Sequence, residues 1–437
     1  MNLESKPIKH LEGEIICPGD KSISQRILII GSLLNCDMEI EGFLDAYDPN
    51  STLNALNKIG ASIKKNHNSI VLTKRTNAFI DASDELDLGN SGTGARLMLG
   101  LVSGLGINAN FIGDSSLSER PMSRVIDPLR EMGALIDSNN GKLPINVIKS
   151  NIINSYSYKL PIASAQVKSC LLLAAIASKN DINLIEPKIT RDHTERMIEY
   201  FGGVIDYGDA SKVGNIELSY RELQPKSNYQ IVGDFSSAAF VIVASLISND
   251  SEVLIKNVGL NETRSGLLKV LQMMGAEIQI TQSKEVCNEK VGDIIVKSSN
   301  LEGIKVPDSI IPNIIDEIPI LSIAAIFAKG KTIIKNASEL KVKESDRLSA
   351  ISNGLDKLNI SHELFDDGLS IHGNNDILDT SEVIDSFGDH RIAMSFLIAG
   401  TRTKNGLMVK NCGNIKTSFP SFKDIMNSIG MKIDEKN

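Results

Sequence analysis

Six segments of the chain have the pattern of helices that are apolar on every side, and this pattern constrains the fold more than any other feature. Each segment opens with polar residues and continues with apolar or small ones. The six begin near Lys21, Asn90, Ser164, Asp234, Asp316 and Asp389. Because a helix without a polar face has to be buried, the sequence predicts six core helices spread along the whole chain.

Each of these segments is followed by an amphipathic helix that ends in a small residue before a β-branched strand. The amphipathic segments are Leu53–Ile63, Val125–Ile136, Met197–Ile205, Leu267–Ile278, Leu348–Leu364 and Phe422–Ile433. Five of them have a glycine where a helix ends with positive φ, and the weaker copy from Leu348 has Asn359 there. Short strands are expected at Glu39–Leu44, Ser69–Leu72, Ile182–Ile185, Glu252–Ile255, Lys331–Ile334 and Leu407–Val409.

This alternation repeats with a period of roughly 70 residues, which is too long for a solenoid and suits a small βα-rich subdomain. A single helix–glycine–strand pattern would be a coincidence, but six ordered pairs are not. In a chain of 437 residues, long enough for two cores, six units predict an α/β (α+β) protein with two domains of three units each.

The composition of the chain disfavours several classes of function. A net charge of −8 disfavours binding to nucleic acid or to an anionic membrane, although local basic clusters still allow an anionic small substrate. The chain has no Trp and 4% aromatic residues, so base-stacking platforms are not expected. The five cysteines have no zinc spacing, which indicates structural thiols in a reducing compartment and no metal site. Residues 1–20 carry charges throughout, and even the longest apolar runs, such as Leu171–Ala177, are too short to span a bilayer. Both features favour a cytoplasmic protein without a signal peptide or membrane span.

The N-termini of the six apolar segments carry the unusual residues of the chain. They read PGDKSISQR, GNSGTGAR, ASAQVK, GDFSSAAF, IIDEIP and GDHRIA. A helix N-terminus presents unpaired N–H groups and the positive end of the helix dipole, so it suits an anion. If the two domains face each other with these ends together, they line a cleft of anion donors.

Several charged residues near these N-termini have both a functional and an ordinary interpretation. Lys21 and Arg26 offer a point charge and a bidentate fork for an anion, or they are solvated charges on a capped helix. Arg120 precedes a proline, so its backbone is expected to be extended within a polar loop. The glycine spacing of GNSGTGAR fits neither a dinucleotide nor an ATP loop.

The second half of the chain has the same ambiguity. Asp316 is a helix N-cap by default, or a general base for a substrate hydroxyl. Lys343 and Arg347 are four residues apart, so we expect them on one face of the fifth amphipathic helix. Glu344 between them is a candidate proton donor, or part of an ordinary charged face. At the last apolar segment Arg391 is a better anion ligand than its neighbour His390, which we interpret as structural.

Taken together, these segments resemble the EPSP synthases (3-phosphoshikimate 1-carboxyvinyltransferases), in their class II bacterial form. The resemblance runs from about Pro18 to Pro420. It rests on the ordered strings PGDKSIS, GARLMLGLV, RPMSRVIDPLREMGA, ASAQVKS, TRDHTE, LKVKESDRLSA and DHRIAMSFL. It implies two globular domains, each of three βαβαββ units, with the active site in the interdomain cleft. The domains would be residues 20–232 and residues 1–19 plus 233–437, with hinges near Gly19 and Gly233, since the first strand is expected to pair with the second half.

The resemblance also implies substrates and their ligands. The residues that it assigns to shikimate 3-phosphate are Lys21, Ser22, Arg26, Ser164, Ala165, Gln166, Arg191, Asp316 and Lys343. The residues that it assigns to phosphoenolpyruvate are Lys21, Gly92, Arg120, Gln166, Arg347, Arg391 and Lys416. The catalytic residues implied are Asp316, Glu344, Lys343 and Lys21. Thr190 and Glu339 stand where better-known members have Ser and Asn, and Lys416 aligns with a lysine that only part of the family keeps.

The implied reaction is addition–elimination by a monomeric enzyme that needs no metal or organic cofactor. Asp316 and Lys343 would take the proton from the 5-hydroxyl, and Glu344 would protonate the methylene of phosphoenolpyruvate. Two alternatives stay open: the related enolpyruvyl transferase that acts on UDP-N-acetylglucosamine, which usually has a Cys in the loop at residues 113–120, and a non-catalytic anion-binding protein. Gly92 stands where glyphosate-tolerant class II members have Ala, which implies a sensitive enzyme.

Overall fold

The computed structural model describes residues 1–66, 69–152, 155–208 and 214–436. The helices within these ranges are α1 (Lys21–Leu34), α2 (Tyr47–Lys58), α3 (Gly92–Leu105), α4 (Ser115–Glu119), α5 (Ser123–Glu131), α6 (Ala165–Ser178), α7 (His193–Tyr200), α8 (Phe235–Ile247), α9 (Gly266–Met273), α10 (Ile311–Ile314), α11 (Ile318–Ile326), α12 (Arg347–Lys357), α13 (His390–Ala399) and α14 (Phe422–Ser428).

The strands are short and alternate with these helices. They are β1 (Asn2–Ser5), β2 (Glu12–Ile16), β3 (Met38–Glu41), β4 (Ile63–Asn66), β5 (Ser69–Leu72), β6 (Leu86–Asp87), β7 (Ala109–Ile112), β8 (Leu135–Asn139), β9 (Lys142–Ile148), β10 (Tyr156–Lys159), β11 (Ile182–Ile185), β12 (Val204–Asp206), β13 (Asn215–Ser219), β14 (Asn228–Gln230), β15 (Glu252–Gly259), β16 (Glu277–Val286), β17 (Glu289–Lys297), β18 (Gly330–Ile334), β19 (His362–Phe365), β20 (Gly368–Gly373), β21 (Val383–Asp385), β22 (Leu407–Lys410) and β23 (Ile433–Lys436).

The chain divides into two compact units. The first-half unit comprises residues 19–232 and 285–289, and the second-half unit comprises residues 1–18, 233–284 and 290–437. The first-half unit contains the sheets β14-β3-β5-β4, β6-β7-β9-β8 and β10-β11-β13-β12, and the second-half unit contains β21-β22-β1-β23, β16-β17-β15-β2 and β18-β20-β19. The N-terminal strands therefore belong to second-half sheets, where β1 pairs with β22 and β23 and β2 pairs with β15. The hinges and the interdomain cleft stay predictions.

In five of the sheets one pair of neighbouring strands runs parallel, whereas both strand pairs of β18-β20-β19 are antiparallel. In the first sheet, for example, β14 is parallel to β3 while β3, β5 and β4 are antiparallel. A parallel pair requires a crossover between its strands, and the buried helices α3, α6 and α13 supply it for β6-β7, β10-β11 and β21-β22. The mixed α/β class predicted from the repeat is confirmed by this architecture.

The two predicted helix types are both present. The six apolar segments form α1, α3, α6, α8, α11 and α13, and every residue of α8 is buried. The amphipathic segments form α2, α5, α7, α9, α12 and α14, and each leads into a strand or hairpin. The residues predicted at their ends all have positive φ: Gly60, Gly133, Gly202, Gly275, Gly430 and Asn359. The strand expected at Glu39–Leu44 is shorter than predicted, since β3 ends at Glu41.

The two apolar helices α3 and α6 pack closely because α3 has glycines where it meets its neighbour. A Cβ added at Gly100 would lie 2.1 Å from the carbonyl oxygen of Cys170, and one added at Gly104 would lie 2.4 Å from that of Ala174. These contacts are with main-chain atoms, which cannot rotate away. The two helices can therefore approach this closely only because neither position has a Cβ atom.

We expect Gly100→Ala to destabilise the protein by at least about 1–3 kcal/mol, since overpacking forces the two helices apart. Gly413→Ala is the control, because nothing lies within 4 Å of a Cβ at that position, and it should change stability by less than about 0.5 kcal/mol. Thermal unfolding followed by circular dichroism measures both variants. Equal melting temperatures for the two would contradict the close packing.

Candidate active site

In the first-half unit, hydrogen bonds join the N-termini of three buried helices, α1, α3 and α6. We group the residues at these starts with two arginines from other segments as the Lys21 cluster, and its members are Lys21, Gln25, Arg26, Ser91, Arg96, Arg120, Ser164, Gln166 and Arg191.

The N-terminus of α1 positions Lys21. The carboxylate of Asp20 caps the helix by accepting a main-chain N–H of the first turn at 2.8 Å. Lys21 Nζ lies 2.9 Å from Asp48 Oδ2, and both side chains are largely buried. One turn later, Gln25 Nε2 donates to Ser91 Oγ at 2.7 Å, which connects α1 to the cap of α3. The helix is capped, but the charge of Lys21 is not the solvated surface charge of the ordinary interpretation.

The N-terminus of α6 joins the same group. Ser164 Oγ caps this helix, which starts at Ala165. Gln166 Nε2 donates to Thr93 Oγ1 at 2.9 Å, and Gln166 Oε1 accepts a bond from Arg96 Nη1. The amide of Gln166 is thereby oriented by two partners on α3, as a residue that contacts a ligand requires.

Arg120 reaches the cluster from the segment that follows β7. The sequence predicted a polar loop there, but residues 115–119 form α4, and Arg120 follows with extended backbone (φ −75°, ψ 140°). Its guanidinium is buried and donates to Asn90 Oδ1 at 2.8 Å. Gly92 begins α3 beside it, and a Cβ at Gly92 would lie 2.9 Å from Arg120 Nη1. The missing side chain at Gly92 leaves room for the guanidinium.

Arg26 is held by oxygens that carry no formal charge. Its Nε donates to Thr194 Oγ1 at 2.7 Å, its Nη2 to Ser169 Oγ at 3.0 Å and its Nη1 to Ser22 O at 3.1 Å. Burial lowers the pKa of Arg26 to about 10, and the positive charge of Arg191 contributes to this shift. The positive charge of Arg191 therefore acts on Arg26, and an anion between the two guanidiniums would relieve their repulsion.

A buried lysine that the sequence interpretation missed fixes the segment before Arg191. Lys168 Nζ lies 2.7 Å from Glu195 Oε1 and 3.2 Å from Glu186 Oε1. It also donates to Thr190 O at 3.3 Å, while Thr190 Oγ1 donates to Glu186 at 2.6 Å. Burial lowers the pKa of Lys168, but the two carboxylates outweigh burial and raise it. The signal was a lysine inside an otherwise apolar helix, which requires a buried partner.

His193 of α7 forms a buried pair on the other side of Arg191. Its Nδ1 lies 2.7 Å from Glu289 Oε1, and both side chains are about 97% buried, at 3% exposure each. Burial lowers the pKa of His193, but Glu289, helped by the nearby Asp20, outweighs it, so the pKa is raised above its ordinary value although Arg26 opposes the increase. The protonated imidazole is thus favoured in the folded protein.

In the second-half unit, a second group of side chains surrounds one buried guanidinium. We call it the Arg347 cluster, and its members are Asp316, Glu317, Lys343, Glu344, Arg347, Asp389 and Arg391.

Arg347 is fully buried and binds three carboxylates. Its Nη1 lies 3.1 Å from Asp316 Oδ1, its Nη2 2.5 Å from Glu344 Oε2 and its Nε 2.8 Å from Asp389 Oδ2. Burial lowers the pKa of Arg347, but Asp389, Glu344 and Asp316 outweigh it and raise the pKa. The two candidate proton-transfer groups, Asp316 and Glu344, are thus held by one cation.

Two expectations for this cluster are wrong. The helix α12 begins at Arg347 with Asp346 as its cap, so Lys343 lies on extended backbone before the helix and does not share a helix face with Arg347. Lys343 Nζ lies 3.6 Å from Asp316 Oδ1, the same oxygen that Arg347 binds. Asp316 is also not the cap of α11, because it lies in the turn between α10 and α11, and the residue at the cap position is Glu317, which makes no capping bond. The carboxylate of Asp316 instead contacts two cations, Lys343 and Arg347, through the same oxygen.

Arg391 connects the start of α13 to that of α11. The carboxylate of Asp389 caps α13 by accepting Arg391 N at 2.8 Å. The guanidinium donates through Nη1 to Asp316 O at 2.9 Å and to Ser236 Oγ at 3.0 Å. Arg264 and Glu317 complete this contact, and sequence reasoning assigned no role to Ser236, Arg264 or Glu317. The only sequence signal for this group was Glu317, an acidic residue that directly follows Asp316 at the start of an apolar helix. Arg264 gave no signal, because its segment NETRSG resembles an ordinary turn.

Two predicted residues lie apart from these clusters. Lys416 is exposed on the 3₁₀ segment Cys412–Thr417 and, in the part of the chain that the structure describes, makes no hydrogen bond or ion pair with the other predicted site residues. Glu339 is half-buried in the 3₁₀ segment Ser338–Val342 before Lys343. Their roles stay predictions.

No group of three or more His, Cys, Asp or Glu within residues 1–66, 69–152, 155–208 and 214–436 is arranged to hold a metal ion. None of the helices in those ranges combines the length and the apolar character that crossing a membrane requires.

The fold is that of an enolpyruvyl transferase. An enolpyruvyl transferase from Streptomyces tendae has the same fold at a TM-score of 0.77 with 15% identity, and the match covers 100% of this chain and 98% of that one. The structure of EPSP synthase from Acinetobacter baumannii is more similar, with a TM-score of 0.86 and 34% identity over 99% of this chain and 100% of that one.

The family itself is shown by sequence. The profile of the family described as EPSP synthase (3-phosphoshikimate 1-carboxyvinyltransferase) matches residues 5–426. A 3-phosphoshikimate 1-carboxyvinyltransferase from Petrotoga mobilis is 48% identical over 98% of this chain and 99% of its own length. One from Coxiella burnetii is 42% identical over 99% and 98%. The chain belongs to the EPSP synthase family, as its motifs predicted.

We expect the His193–Glu289 pair to make stability dependent on pH. The folded pKa of His193 is raised, so its contribution is fully present below the unfolded pKa of about 6.5 and is lost as pH rises through the folded value. The side chain of Gln does not titrate, so the melting temperature of the native protein relative to His193→Gln should fall as the pH rises from about 6.5 to alkaline values. A constant difference over that range would contradict the prediction.

Proposed function

We propose that the protein transfers the enolpyruvyl group of phosphoenolpyruvate to the 5-hydroxyl of shikimate 3-phosphate, with release of phosphate. The observation that carries this function is the binding of two carboxylates, Asp316 and Glu344, by the single guanidinium of Arg347. The reaction requires one group that removes a proton from an alcohol and another that gives a proton to a carbon. Two carboxylates fixed on one cation can divide these roles.

Shikimate 3-phosphate is assigned to both units. Its phosphate would bind Ser22, Arg26, Arg191 and the N-terminus of α6, and its hydroxyls would bind Asp316 and Lys343. Two features support this assignment. The positive charge of Arg191 helps to lower the pKa of Arg26, and the α6 start offers the N–H groups that follow Ser164.

Phosphoenolpyruvate is assigned to five cationic side chains and to the amide of Gln166. Lys21, Arg120 and Gln166 would bind it from the first-half unit, and Arg347, Arg391 and Lys416 from the second-half unit. Because Gly92 has no side chain, the ligand would approach the main chain of the protein beside Arg120. Guanidiniums that are already fixed by buried partners stabilise developing negative charge without reorganising.

The mechanism is the one that the family resemblance implies, and the arrangement around Asp316 supports it. Asp316, with Lys343 3.6 Å away, takes the proton of the 5-hydroxyl, and the oxygen adds to C2 of phosphoenolpyruvate. Glu344 gives its proton to the methylene carbon, and a tetrahedral intermediate forms. The new methyl group then loses a proton, the double bond is restored and phosphate departs. Exclusion of water protects the intermediate.

We expect Asp316→Asn and Glu344→Gln each to lower kcat by about 10²–10⁴-fold, the usual contribution of general acid–base catalysis. Asp356→Asn is the matched control, because that carboxylate lies on α12 but is 73% exposed, and it should keep full activity. Phosphate release with both substrates measures all three. Full activity in either cluster variant would rule out its assigned role.

The alternative enolpyruvyl transferase, which acts on UDP-N-acetylglucosamine, is less well supported. Residues 113–120 read GDSSLSER and contain no Cys, so the loop lacks the thiol usual in that family. Residues 115–119 also form α4, which caps on Asp114. Turnover with UDP-N-acetylglucosamine but not with shikimate 3-phosphate would select this alternative. Calorimetric binding of both substrates without turnover would instead indicate a non-catalytic protein.

We predict that glyphosate inhibits the native protein and that Gly92→Ala reduces this inhibition. The added methyl would lie 2.9 Å from Arg120 Nη1 and 3.3 Å from Arg96 Nη1, so both guanidiniums would have to move. A shift of a few tenths of an ångström or more in a charged ligand also weakens phosphoenolpyruvate binding, and its KM should rise about tenfold. Inhibition curves and KM are measured on both proteins. Identical curves for the two would contradict the prediction.

We also propose a cytoplasmic location, which is supported by five thiols of which none forms a disulfide. The monomeric state stays a prediction.

A further inference from the structure

One hydroxyl in the second-half unit joins two guanidiniums to a carboxylate. Ser236 Oγ accepts a bond from Arg391 Nη1 at 3.0 Å and another from Arg264 Nη2. The same hydroxyl donates to Glu317 Oε1. All four side chains are buried, so each bond is shielded from water and solvent cannot replace it.

Glu317 contacts both guanidiniums, and Asp234 Oδ1 lies 3.6 Å from Arg264 Nη2. Glu317 Oε1 lies 2.8 Å from Arg264 Nη1 and 3.4 Å from Arg391 Nη1. The carboxylate is fully buried, at 0% exposure. Removing one member of a buried charge group leaves the others uncompensated. Arg264 and Glu317 are therefore coupled to Arg391 by charge as well as by geometry.

The N-terminus of α8 explains why Ser236 is available. Asp234 Oδ1 accepts the main-chain N–H groups of Ser236 and Ser237 at 2.7 and 3.3 Å. The cap is thus supplied by Asp234, so the hydroxyl of Ser236 is left for the guanidiniums. Among the six unusual helix starts, this one received no substrate contact from the family resemblance.

We propose that Arg264, Glu317 and Ser236 are positioning residues that fix the guanidinium of Arg391 and thereby set the affinity for phosphoenolpyruvate. Arg264 takes the shorter of the two contacts with Glu317, which prevents that carboxylate from neutralising Arg391 completely. Arg391 keeps charge for an incoming anion and stays directed by Ser236 Oγ and Asp316 O. The inference rests on the proposed function, since it assumes that Arg391 binds phosphoenolpyruvate.

The test is steady-state kinetics of Arg264→Met, Glu317→Gln and the double variant. In Arg264→Met, Glu317 turns entirely to Arg391, so the KM for phosphoenolpyruvate should rise about tenfold or more, the size of a lost charge-assisted bond. The KM for shikimate 3-phosphate should change by less than about twofold. Glu317→Gln removes the one negative charge that contacts both guanidiniums, although Asp234 still lies 3.6 Å from Arg264 Nη2, and should impair phosphoenolpyruvate binding more. The double variant should be less impaired than Glu317→Gln alone, because removing Arg264 relieves the repulsion.

Two further variants keep the inference testable if the charge changes reduce folding. Ser236→Ala removes only the shared hydroxyl and should raise the same KM selectively. Arg402→Met is the control, because Arg402 is a half-buried arginine of the same unit that donates to Ile247 O, and it should alter neither KM.

Equal increases in both KM values, or a double variant as impaired as the product of the single changes, would overturn the positioning role. A loss of melting temperature with both KM values unchanged would also overturn it. Failure of the proposed function is distinguishable, because the native protein would then release no phosphate from the two substrates.

Discussion

Six helices without a polar face have to be buried along their length, and the polar groups at their ends then need partners at the edge of the core. Five of the six supply their own cap, through Asp20, Ser91, Ser164, Asp234 and Asp389. The helix α11 does not, because Glu317 at its cap position makes no capping bond. Its two acidic residues bind guanidiniums instead. The requirement to bury apolar helices thus places charged groups at their starts, and the exception among the caps is where proton transfer is assigned.

The two clusters treat their cations differently. In the Lys21 cluster, Arg26 donates to hydroxyl and carbonyl oxygens, which orient the guanidinium without cancelling its charge. In the Arg347 cluster, three carboxylates surround one guanidinium, which cancels its charge and fixes the carboxylates. The first arrangement suits the binding of phosphate and carboxylate groups. The second suits groups that exchange protons. A buried guanidinium is therefore bound by uncharged oxygens in one unit and by carboxylates in the other.

Much of the fold could be predicted from the sequence, since helix type, helix end and strand alternation depend on residues only a few positions apart. The positions of Lys21 and Gln166 at helix starts were predictable for the same reason, whereas Arg120 follows the short helix α4 in a segment that was predicted to be a loop. The geometry at Lys343 was not predictable. The spacing of four residues between Lys343 and Arg347 suggested one helix face. The N-cap of α12 is Asp346, however, so the helix begins after Lys343. Lys168 and Arg264 were missed because their partners lie 18 to 53 residues away along the chain.

The sequence by itself determined six apolar helices, their amphipathic companions, the family and the identity of the charged residues at the helix starts. These follow from local periodicity, capping chemistry and ordered motifs. Only the tertiary structure decided which charges pair: that Asp316 separates Lys343 from Arg347, that Lys168 holds Thr190, and that Glu317 serves two arginines. Electrostatic pairing depends on distances of a few ångströms between distant parts of the chain, and packing of the helices sets those distances.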